Sequence, residues 1–579
     1  MPPKNPVSGA EVLVDGAKLD NKYVSQLLDV QVRDNLRLPD TAVVRMRDPD
    51  GTYIDTHPFK PGAMVEIKMA AIDEVAVVSL FKGEIVALEP EFTEGHCIIA
   101  ARAYDRGHRL NRNRTSRTFQ NQSAEDMVRA VAQAAGLSAG TVESTGAVHQ
   151  FFQQSMETDW EFCWRLASMY DFEFFVDDRK FSFRKRKRDA VAATLKWGEE
   201  LLTFKPRMSA VGQVSQVRVA NHDPKARQDL VGVASSSPPA TTAQAATTRS
   251  SLVGQLAGGT VTVADRVVTT ASEASKLAQS TLDRLSSSFV EAEGKAFGNP
   301  KVCAGATVKI ESVGSFSGEY VLSQTMHTFR GGSGYTTSFV ISGRSAHTFA
   351  DLVRSGNSNS NGKPSWASSL VIGIVTNTND TDGMGRVRVK FPALGDNIEG
   401  WWARIATLNA GPERGVFMLP QVNDEVVVGF EHGDPRRPFV LGCLYNGSRG
   451  KTPADLRDPS NDRKALFGVK TDHEVFVAGT QKMTLRTGEK MTVEVNKNGR
   501  NGTGDYLLDA KGNITEKAMQ AVKIEANQTI DLKASQSVTV KGSGTVNVES
   551  SGPLTLKGAT IDIQASGPLT LKGAIINIG

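Results

Sequence analysis

Features that would anchor the chain in a membrane or stabilise it by disulfides are absent. No stretch approaches the eighteen apolar residues that a transmembrane helix needs, and the opening Met1-Pro2-Pro3-Lys4-Asn5-Pro6 lacks the apolar core of a secretory signal peptide. The 4 cysteines lie far apart and form no CxxC pair, so free thiols in a reducing cytosol are expected. If the protein leaves its cell, it does so without a signal of its own.

Motifs for catalysis and cofactor binding are also missing. The chain has no Gly-rich phosphate loop and no nucleophile elbow. Glu431-His432-Gly433-Asp434 offers two carboxylates near an imidazole. However, a single histidine in a Gly-flanked turn, with no second histidine nearby, indicates a loop rather than a metal or acid–base site. We therefore predict no catalytic, cofactor-binding or metal-binding residues, and no cofactor.

A strong charge bias is absent as well. The net charge of +4 over 579 residues gives no argument for nucleic-acid binding. The basic run Arg184-Lys185-Arg186-Lys187-Arg188 directly follows a predicted hairpin strand, which favours a solvated edge or a subunit contact over a nucleic-acid patch. Trp401-Trp402 lacks interleaved lysine and arginine, so burial of one tryptophan in a barrel is favoured over base stacking.

The last fifth of the chain has a strict repeat. Triplets of apolar, polar and apolar residues recur there every seven or eight residues. Their apolar pairs are Val522 and Ile524, Ile530 and Leu532, Val538 and Val540, Val546 and Val548, Leu554 and Leu556, Ile561 and Ile563, Leu569 and Leu571, and Ile576 and Ile578. Alternation puts both apolar residues of a triplet on one face of a strand, and the polar gap turns a corner. The repeat predicts a stacked rod with these pairs facing its core.

From the period alone, two ways of closing the rod stay open. One chain coiling three repeats per turn would form a single-chain β-solenoid. Three chains could instead each supply one face of every rung around a shared axis. The second arrangement leaves no lateral strand edge and so removes an aggregation hazard.

Strand patterns dominate upstream of the repeat. Residues 10 to 220 are expected to hold strands and two helices, each helix opened by a capping box at Ser123-Ala124-Glu125-Asp126 or Thr158-Asp159-Trp160-Glu161. A Ser-, Ala-, Thr- and Pro-rich segment at 223–260 indicates an extended or mobile surface excursion. After a linker at 356–369, about five short strands in fewer than eighty residues suit an OB-like barrel.

Several stretches of this barrel resemble the OB domain of VgrG-type spikes. They are Gly373-Ile374-Val375, Asp382-Gly383-Met384-Gly385-Arg386-Val387-Arg388-Val389-Lys390-Phe391-Pro392, Pro420-Gln421-Val422-Asn423-Asp424-Glu425-Val426-Val427-Val428, Gly433-Asp434-Pro435-Arg436-Arg437-Pro438 and Leu444-Tyr445-Asn446-Gly447. Upstream, residues 151–177 are similar to the phage late-control and tail-hub domain. The order of hub, linker, barrel and rod covers essentially the whole chain.

The resemblance implies a homotrimeric central spike at the tip of a contractile injection machine. The hub would bind tail-tube and baseplate proteins, and the rod would be the intertwined three-chain form. A PAAR-like tip protein would dock on Ile576, Ile578 and Gly579, with cargo effectors as further partners, no nucleic acid, and the target membrane touched only during puncture. The short stretch 448–466 leaves no room for the lysozyme domain of some phage relatives. We expect no toxin domain after the rod, and hence a purely structural spike.

The combined prediction is a mainly β fold. It has tail-hub β-barrels with a few helices over 1–355, an OB-fold barrel over 370–447, a connector over 448–466 and a triple-stranded β-helix rod over 467–579. A structural spike made in the bacterial cytoplasm is expected, and a phage-tail-like extracellular particle is favoured over type VI secretion or a phage. Two alternatives are an OB-based nucleic-acid binder, which salt-dependent affinity would reveal, and an envelope-degrading spike enzyme, which a peptidoglycan clearing assay would reveal.

Overall fold

The computed structural model contains two compact units, Met1–Lys470 and Thr471–Gly579. It describes residues 9–71, 77–185, 189–331, 334–343, 365–395, 398–412, 414–447, 475, 477, 483–493, 495 and 506–578. Hub here denotes residues 9–343, and barrel denotes residues 365–447. The predicted connector at 448–466 and most of the predicted linker lie outside the described residues. None of the described helices is long and apolar enough to cross a membrane.

The hub begins with one half of a large antiparallel sheet. Its elements are β1 (Ala10–Val14), β2 (Ala17–Lys18), α1 (Asn21–Val24), β3 (Leu27–Asn35), β4 (Thr41–Asp48), β5 (Met64–Met69), β6 (Val78–Thr93) and β7 (His96–Tyr104). Alternating burial along β4 and β5 shows why these residues form strands, since every second side chain faces the core. Val30, Met46, Ile67 and Ile99 are fully buried in that core.

A lobe of two helices and five strands follows. Its elements are β8 (Arg114–Ser123), α2 (Ala124–Ala134), β9 (Ser138–Val142), β10 (Val148–Thr158), α3 (Asp159–Tyr170), β11 (Phe172–Asp177) and β12 (Lys180–Lys185). Both predicted capping boxes are present, with Ser123 and Thr158 as the N-caps. The predicted apolar face of α3 is buried at Phe162 and Leu166, and β11 and β12 form the predicted hairpin.

The hub ends with the other half of the large sheet and a second helical lobe. The elements are β13 (Val191–Lys196), β14 (Leu201–Met208), β15 (Gln216–Asp223), β16 (Gln228–Ala234), α4 (Gln244–Thr247), α5 (Arg249–Leu252), β17 (Thr260–Val263), α6 (Ala271–Ser287), β18 (Val290–Phe297), β19 (Thr307–Glu311), β20 (Gly318–Val321), β21 (Gln324–Arg330) and β22 (Gly334–Ile341). β21 pairs with β3, which makes one eleven-stranded sheet of the order β14-β18-β22-β21-β3-β4-β7-β6-β5-β1-β2.

Parts of the segment at 223–260 are more regular and more buried than the extended or mobile surface excursion that its composition indicated. The segment contains β16, α4 and α5, and it buries Ala243, Ala245 and Ala246. β16 lies so close to α6 that a Cβ on Gly232 would be 2.2 Å from the carbonyl carbon of Ala274. Small side chains are therefore what lets this segment pack, and their low hydrophobicity hid the packing from a composition argument.

The barrel closes on itself. Its strands are β23 (Val371–Asn377), β24 (Arg388–Lys390), β25 (Arg404–Ile405), β26 (Ala410–Gly411), β27 (Arg414–Gly415), β28 (Glu425–Phe430) and β29 (Pro438–Cys443). Five of them form a sheet of the order β24-β23-β28-β29-β25. The backbone N–H of Val387 donates to the carbonyl oxygen of Ala403 at 3.0 Å, and the N–H of Ala403 donates to the carbonyl oxygen of Val387 at 2.7 Å. This pair of bonds joins the two edges of the sheet.

The C-terminal unit, taken by itself, has no helix or strand among its described residues. Its backbone bends at 511–512, 519–520, 527–528, 535–536, 543–544, 551–552, 559, 566–567 and 574, so the bends keep the period of the repeat. In this single chain the predicted rod-core side chains from Val522 to Leu571 are 52% to 73% exposed. The triple-stranded β-helix therefore stays a prediction.

Three carboxyls meet where the two halves of the large sheet join. Asp34 accepts from the backbone N–H of Ala304 at 2.7 Å, and its carboxyl hydrogen-bonds that of Asp40. Burial raises the pKa of Asp34 to about 6 and that of Asp105 to about 7, and burial and then the charge of Asp34 raise the pKa of Asp40. The folded state therefore holds protons that the unfolded chain would release.

We expect Asp40→Asn to stabilise the protein at pH 8 but not at pH 5. A carboxyl with a raised pKa contributes stability that is present below its unfolded pKa and is lost as the pH rises through its folded pKa, which burial and the charge of Asp34 raise for Asp40. Asparagine keeps the acceptor for the N–H of Asn35, which lies 3.0 Å from the Asp40 carboxylate, and removes the charge. The gain should be about 1–2 kcal/mol, measured by urea unfolding at both pH values.

The exposed Asp50 provides the control, because Asp50→Asn should give the same difference from wild type at pH 5 and pH 8. A pH-independent effect of Asp40→Asn would show that the three carboxyls are not coupled as described.

Candidate functional site: the joint between hub and barrel

Arg436 connects the barrel to the hub. It lies in the turn that leads into β29, and its side chain is only 10% exposed. The guanidinium donates to Asp434 of the same turn at 2.9 Å, to Glu273 of the hub at 2.9 Å and to the carbonyl oxygen of Val267 at 2.6 Å. One cation thus bonds three acceptors, two of which belong to the hub.

The start of α6 holds Glu273 in place. The Thr270 side chain accepts from the backbone N–H of Glu273 at 3.1 Å, which is an N-cap. The second carboxylate oxygen of Glu273 accepts from the backbone N–H and the hydroxyl of Thr269, both at 2.8 Å. Both oxygens are therefore occupied, and the carboxylate lies in the first turn of a helix, where the helix dipole favours negative charge.

Arg436 and the two carboxylates of the joint stabilise each other's charged forms. Burial opposes ionisation of each, but Asp434 and Glu273 raise the pKa of Arg436, and Arg436 lowers the pKa of both carboxylates. The Arg436 guanidinium also lies over the Phe152 ring, 5.5 Å from its centroid. All three groups stay charged through the physiological range, and the aromatic ring limits the water that reaches them.

A second ionic contact crosses the joint from the turn between β15 and β16. Lys225 of the hub bonds Asp382 of the barrel at 2.7 Å. Asp382 also pairs with Arg386, which bonds Asp380 and holds the pKa of Asp380 at about 2. The side chain of Lys225 is 65% exposed, so its pair contributes little stability compared with Arg436.

Aromatic and cationic side chains alternate on the barrel side of the joint. Trp401 stacks on Phe151 of the hub, with ring centroids 5.5 Å apart and planes 24° apart. The Arg388 guanidinium lies 5.5 Å from the ring centroids of both Trp401 and Trp402. Neither tryptophan belongs to the barrel core, and both are partly exposed, so the predicted burial of one of them in the barrel is wrong.

These contacts enclose a cleft of about 610 Å³ between the hub and the barrel. His149 lines it from the hub side and bonds the Tyr170 hydroxyl at 2.7 Å. Burial, and next the charge of Arg436, lower the pKa of His149 to about 4, so this imidazole is neutral at pH 7. The positive charge around the cleft therefore comes from arginine and lysine.

Comparison with known proteins agrees with this architecture. Residues 4–330, more than half of the chain, match the family model of the Alg8 N-terminal domain. The chain belongs to the Alg8 N-terminal domain family. Residues 371–445 match the model of the type VI secretion system/phage-baseplate injector OB domain. The joint is therefore the contact between an Alg8-type hub and an injector OB domain.

Curated relatives match parts of the chain. The type VI secretion system spike protein VgrG5 of Pseudomonas aeruginosa is 39% identical over 108 residues, which are 18% of this chain and 13% of that protein. A Vibrio cholerae protein named actin cross-linking toxin VgrG1 is 23% identical over 163 residues, 24% of this chain and 15% of its own. The chain therefore spans only a small share of the length of these relatives. The resemblance to VgrG-type spike proteins is confirmed.

A solved structure matches a large share of the chain. An E. coli component of the type VI secretion system, described as structurally similar to the T4 bacteriophage tail proteins gp27 and gp5, matches 75% of this chain and 99% of its own. The identity is 14% and the TM-score 0.47.

The residues singled out from sequence fall in different places of this Alg8-type chain. The rod-core and tip residues belong to the C-terminal unit, and Gly579 is outside the described residues. Arg184 of the basic run bonds Glu173 at 3.0 Å, while 186–188 are outside the description. Asp434 belongs to the stretch Glu431-His432-Gly433-Asp434, which was considered above as a metal or acid–base site. Its carboxylate pairs with Arg436. Among the described residues, no three His, Cys, Asp or Glu side chains are grouped to hold a metal.

Sequence reasoning missed the hub side of the joint. Glu273 and α6 were not predicted, although Thr270-Ala271-Ser272-Glu273 has the capping-box spacing. Ala274, Leu277 and Ala278 also follow it at helical spacing and are buried. Only the pairing of Glu273 with Arg436, 163 residues away in the chain, had no local signal.

We expect Arg436→Met to weaken the joint strongly. Methionine fills similar space but leaves the Glu273 and Asp434 carboxylates without their cation, which should cost about 3–5 kcal/mol. Chemical unfolding measures the loss, and hydrogen exchange at Thr269 and Glu273 should show faster opening, because their N–H groups depend on an ordered start of α6.

The matched control is Arg414→Met, on the exposed hairpin of β26 and β27. If both variants unfold at the same denaturant concentration, the Arg436 cluster does not hold the barrel to the hub.

Proposed function

We propose that the chain is a structural central spike and hub of a contractile injection machine. The observation that carries this proposal is an OB barrel of the injector type held to an Alg8-type hub by a nearly buried ion cluster. VgrG5, matched in sequence, is named as a type VI secretion system spike protein, and VgrG1 is named as a toxin. For this chain we propose a mechanical role without catalysis.

The joint has the properties that load transfer requires. The hydrophobic effect has no direction, so apolar burial alone does not fix one relative orientation of two bodies. Arg436 instead bonds the hub at a carboxylate and a carbonyl oxygen, both within hydrogen-bond distance. Directional bonds of this kind fix the barrel in one orientation and return it there after a small displacement.

We further propose that three copies of the C-terminal unit form the rod. In each of the eight triplets the first apolar residue is less exposed than the second, as with Val538 at 58% and Val540 at 72%. The first residue comes soon after a bend and lies close to the backbone before that bend. At the bend 543–544, for example, a Cβ on Gly542 would lie 2.9 Å from the Val546 side chain. Apolar rows this exposed in one chain are a liability that two further copies would remove.

Light scattering after size exclusion should therefore give three times the 62.3 kDa of one chain. We expect Val538→Asp to reduce trimer formation severely, since it would place three carboxylates around one dry axis at a cost of several kcal/mol. Thr539→Asp, one residue along, should leave the trimer intact because that side chain would face water.

Equal trimer yields from the two variants would mean that the assigned faces are wrong. A stable monomer of the unmodified chain would instead favour the single-chain solenoid over the three-chain rod.

The last triplet is the proposed contact for a tip protein. Ile576 is 50% and Ile578 is 87% exposed in the single chain. A PAAR-like cone bound once per trimer is the partner that we propose. Membership of a phage-tail-like extracellular particle, rather than a type VI system, stays a prediction.

Both points can be tested on native particles. An affinity-tagged chain recovered from the culture supernatant of its producer should carry sheath and tube proteins and one tip protein per three spike chains. Ile578→Asp should lose the tip protein alone, and Asn577→Asp should keep it. Recovery only inside cells would favour a cell-bound machine, and tip retention by Ile578→Asp would place the docking site elsewhere.

A further inference from the structure

The cleft at the joint has an unusual charge balance. Five cationic side chains and two carboxylates line it, the carboxylates being Asp223 and Asp382. Three of the cations have partners already: Lys225 and Arg386 bond Asp382, and Arg436 bonds Asp434 and Glu273. The other two are Arg404 and Arg437.

Arg404 and Arg437 have no carboxylate partner within the part of the chain that the structure describes. Arg404 lies over the Phe439 ring, 4.7 Å from its centroid, and both arginines are partly buried. A guanidinium that has lost part of its water without gaining an anion costs free energy. The cleft therefore contains two preplaced donors for an oxyanion.

The walls also offer flat apolar surface. Trp401, Trp402, Phe439 and Met384 line the same cleft, together with Phe151 of the hub. The Trp401–Phe151 stack and the arginines over the indoles hold these rings in position. A preformed aromatic surface beside unpaired guanidinium groups suits a ligand that carries both carboxylates and a planar or aliphatic side chain.

We propose that this cleft binds an acidic segment of another polypeptide, one in which carboxylates flank an aromatic or long aliphatic residue. Arg404 and Arg437 pair with the carboxylates, and the apolar side chain lies against Trp402. The volume of about 610 Å³ is in the range of ligand sites and leaves room for several atoms of backbone. The site lies within the first unit and does not depend on the proposed function.

The same geometry disfavours a nucleic acid strand. Asp223 lies on the wall and would repel a phosphate placed beside it. Asp382 already occupies two of the cations, Lys225 and Arg386, which are then less available to a continuous row of phosphates. A peptide can place its few carboxylates beside the arginines and leave the positions near the two aspartates uncharged. The test must therefore distinguish binding of an oligonucleotide from binding of an acidic peptide.

The test uses the full-length protein and the fluorescein-labelled peptide EDFDE, with its uncharged counterpart QNFNQ and a ten-nucleotide oligothymidine. Fluorescence anisotropy should show saturable binding of EDFDE and at least tenfold weaker binding of QNFNQ. The double variant Arg404→Gln/Arg437→Gln should bind EDFDE at least tenfold more weakly. Arg414→Gln, outside the cleft, should bind as the unmodified protein does.

Folding of the variants is checked separately. Arg437→Gln alone keeps its backbone bonds to Asp434 and Glu431, so it should retain the barrel and still lose affinity. The proposal is overturned if EDFDE fails to saturate, if QNFNQ binds equally well or if the double variant binds unchanged. It is also overturned if oligothymidine binds more tightly than the peptide and loses binding in the double variant. None of these outcomes bears on trimer formation.

Discussion

Arg436 bonds a carboxylate of its own turn and a carboxylate of the hub from a nearly buried position, where an unpaired charge of either sign would be costly. Each carboxylate is tolerated because Arg436 is present, and Arg436 is tolerated because the two carboxylates are present. The position of α6, the turn before β29 and the orientation of the barrel are therefore coupled. If one of them moves, the rest lose a bond that water at this depth cannot readily replace.

The C-terminal unit differs from the joint, because its contacts are repeated rather than specific. Its apolar side chains repeat with nearly the same spacing, so that one triplet resembles the next. Such a pattern can bury apolar surface between chains but specifies their register weakly. A shift by one repeat keeps almost every contact. A repeat can extend a rod by adding equivalent units. A nearly buried ion cluster instead fixes one orientation of the barrel on the hub. The chain places the specific contact at the joint and the repetitive one in the proposed rod.

Local signals predicted much of this fold. The two capping boxes at Ser123 and Thr158 located α2 and α3, and the alternating pattern located β28, because these elements are stabilised by neighbours in sequence. The segment at 223–260 was misread because alanine and glycine pack by being small, and composition scores register only hydrophobicity. The pairing of Glu273 with Arg436 was not predictable, because an ion pair across 163 residues leaves no periodic trace in the sequence.

The cleft and the ion cluster share elements, which links their energetics. Thr269 and Thr270 line the cleft, and both bond Glu273, while Arg437 is the neighbour of Arg436. A ligand that binds only the closed joint must stabilise it by mass action, and a joint that opens must lose the ligand. The coupling is reciprocal by thermodynamic necessity. An acidic segment in the cleft would therefore tighten the contact between hub and barrel, and breaking that contact under load would release it.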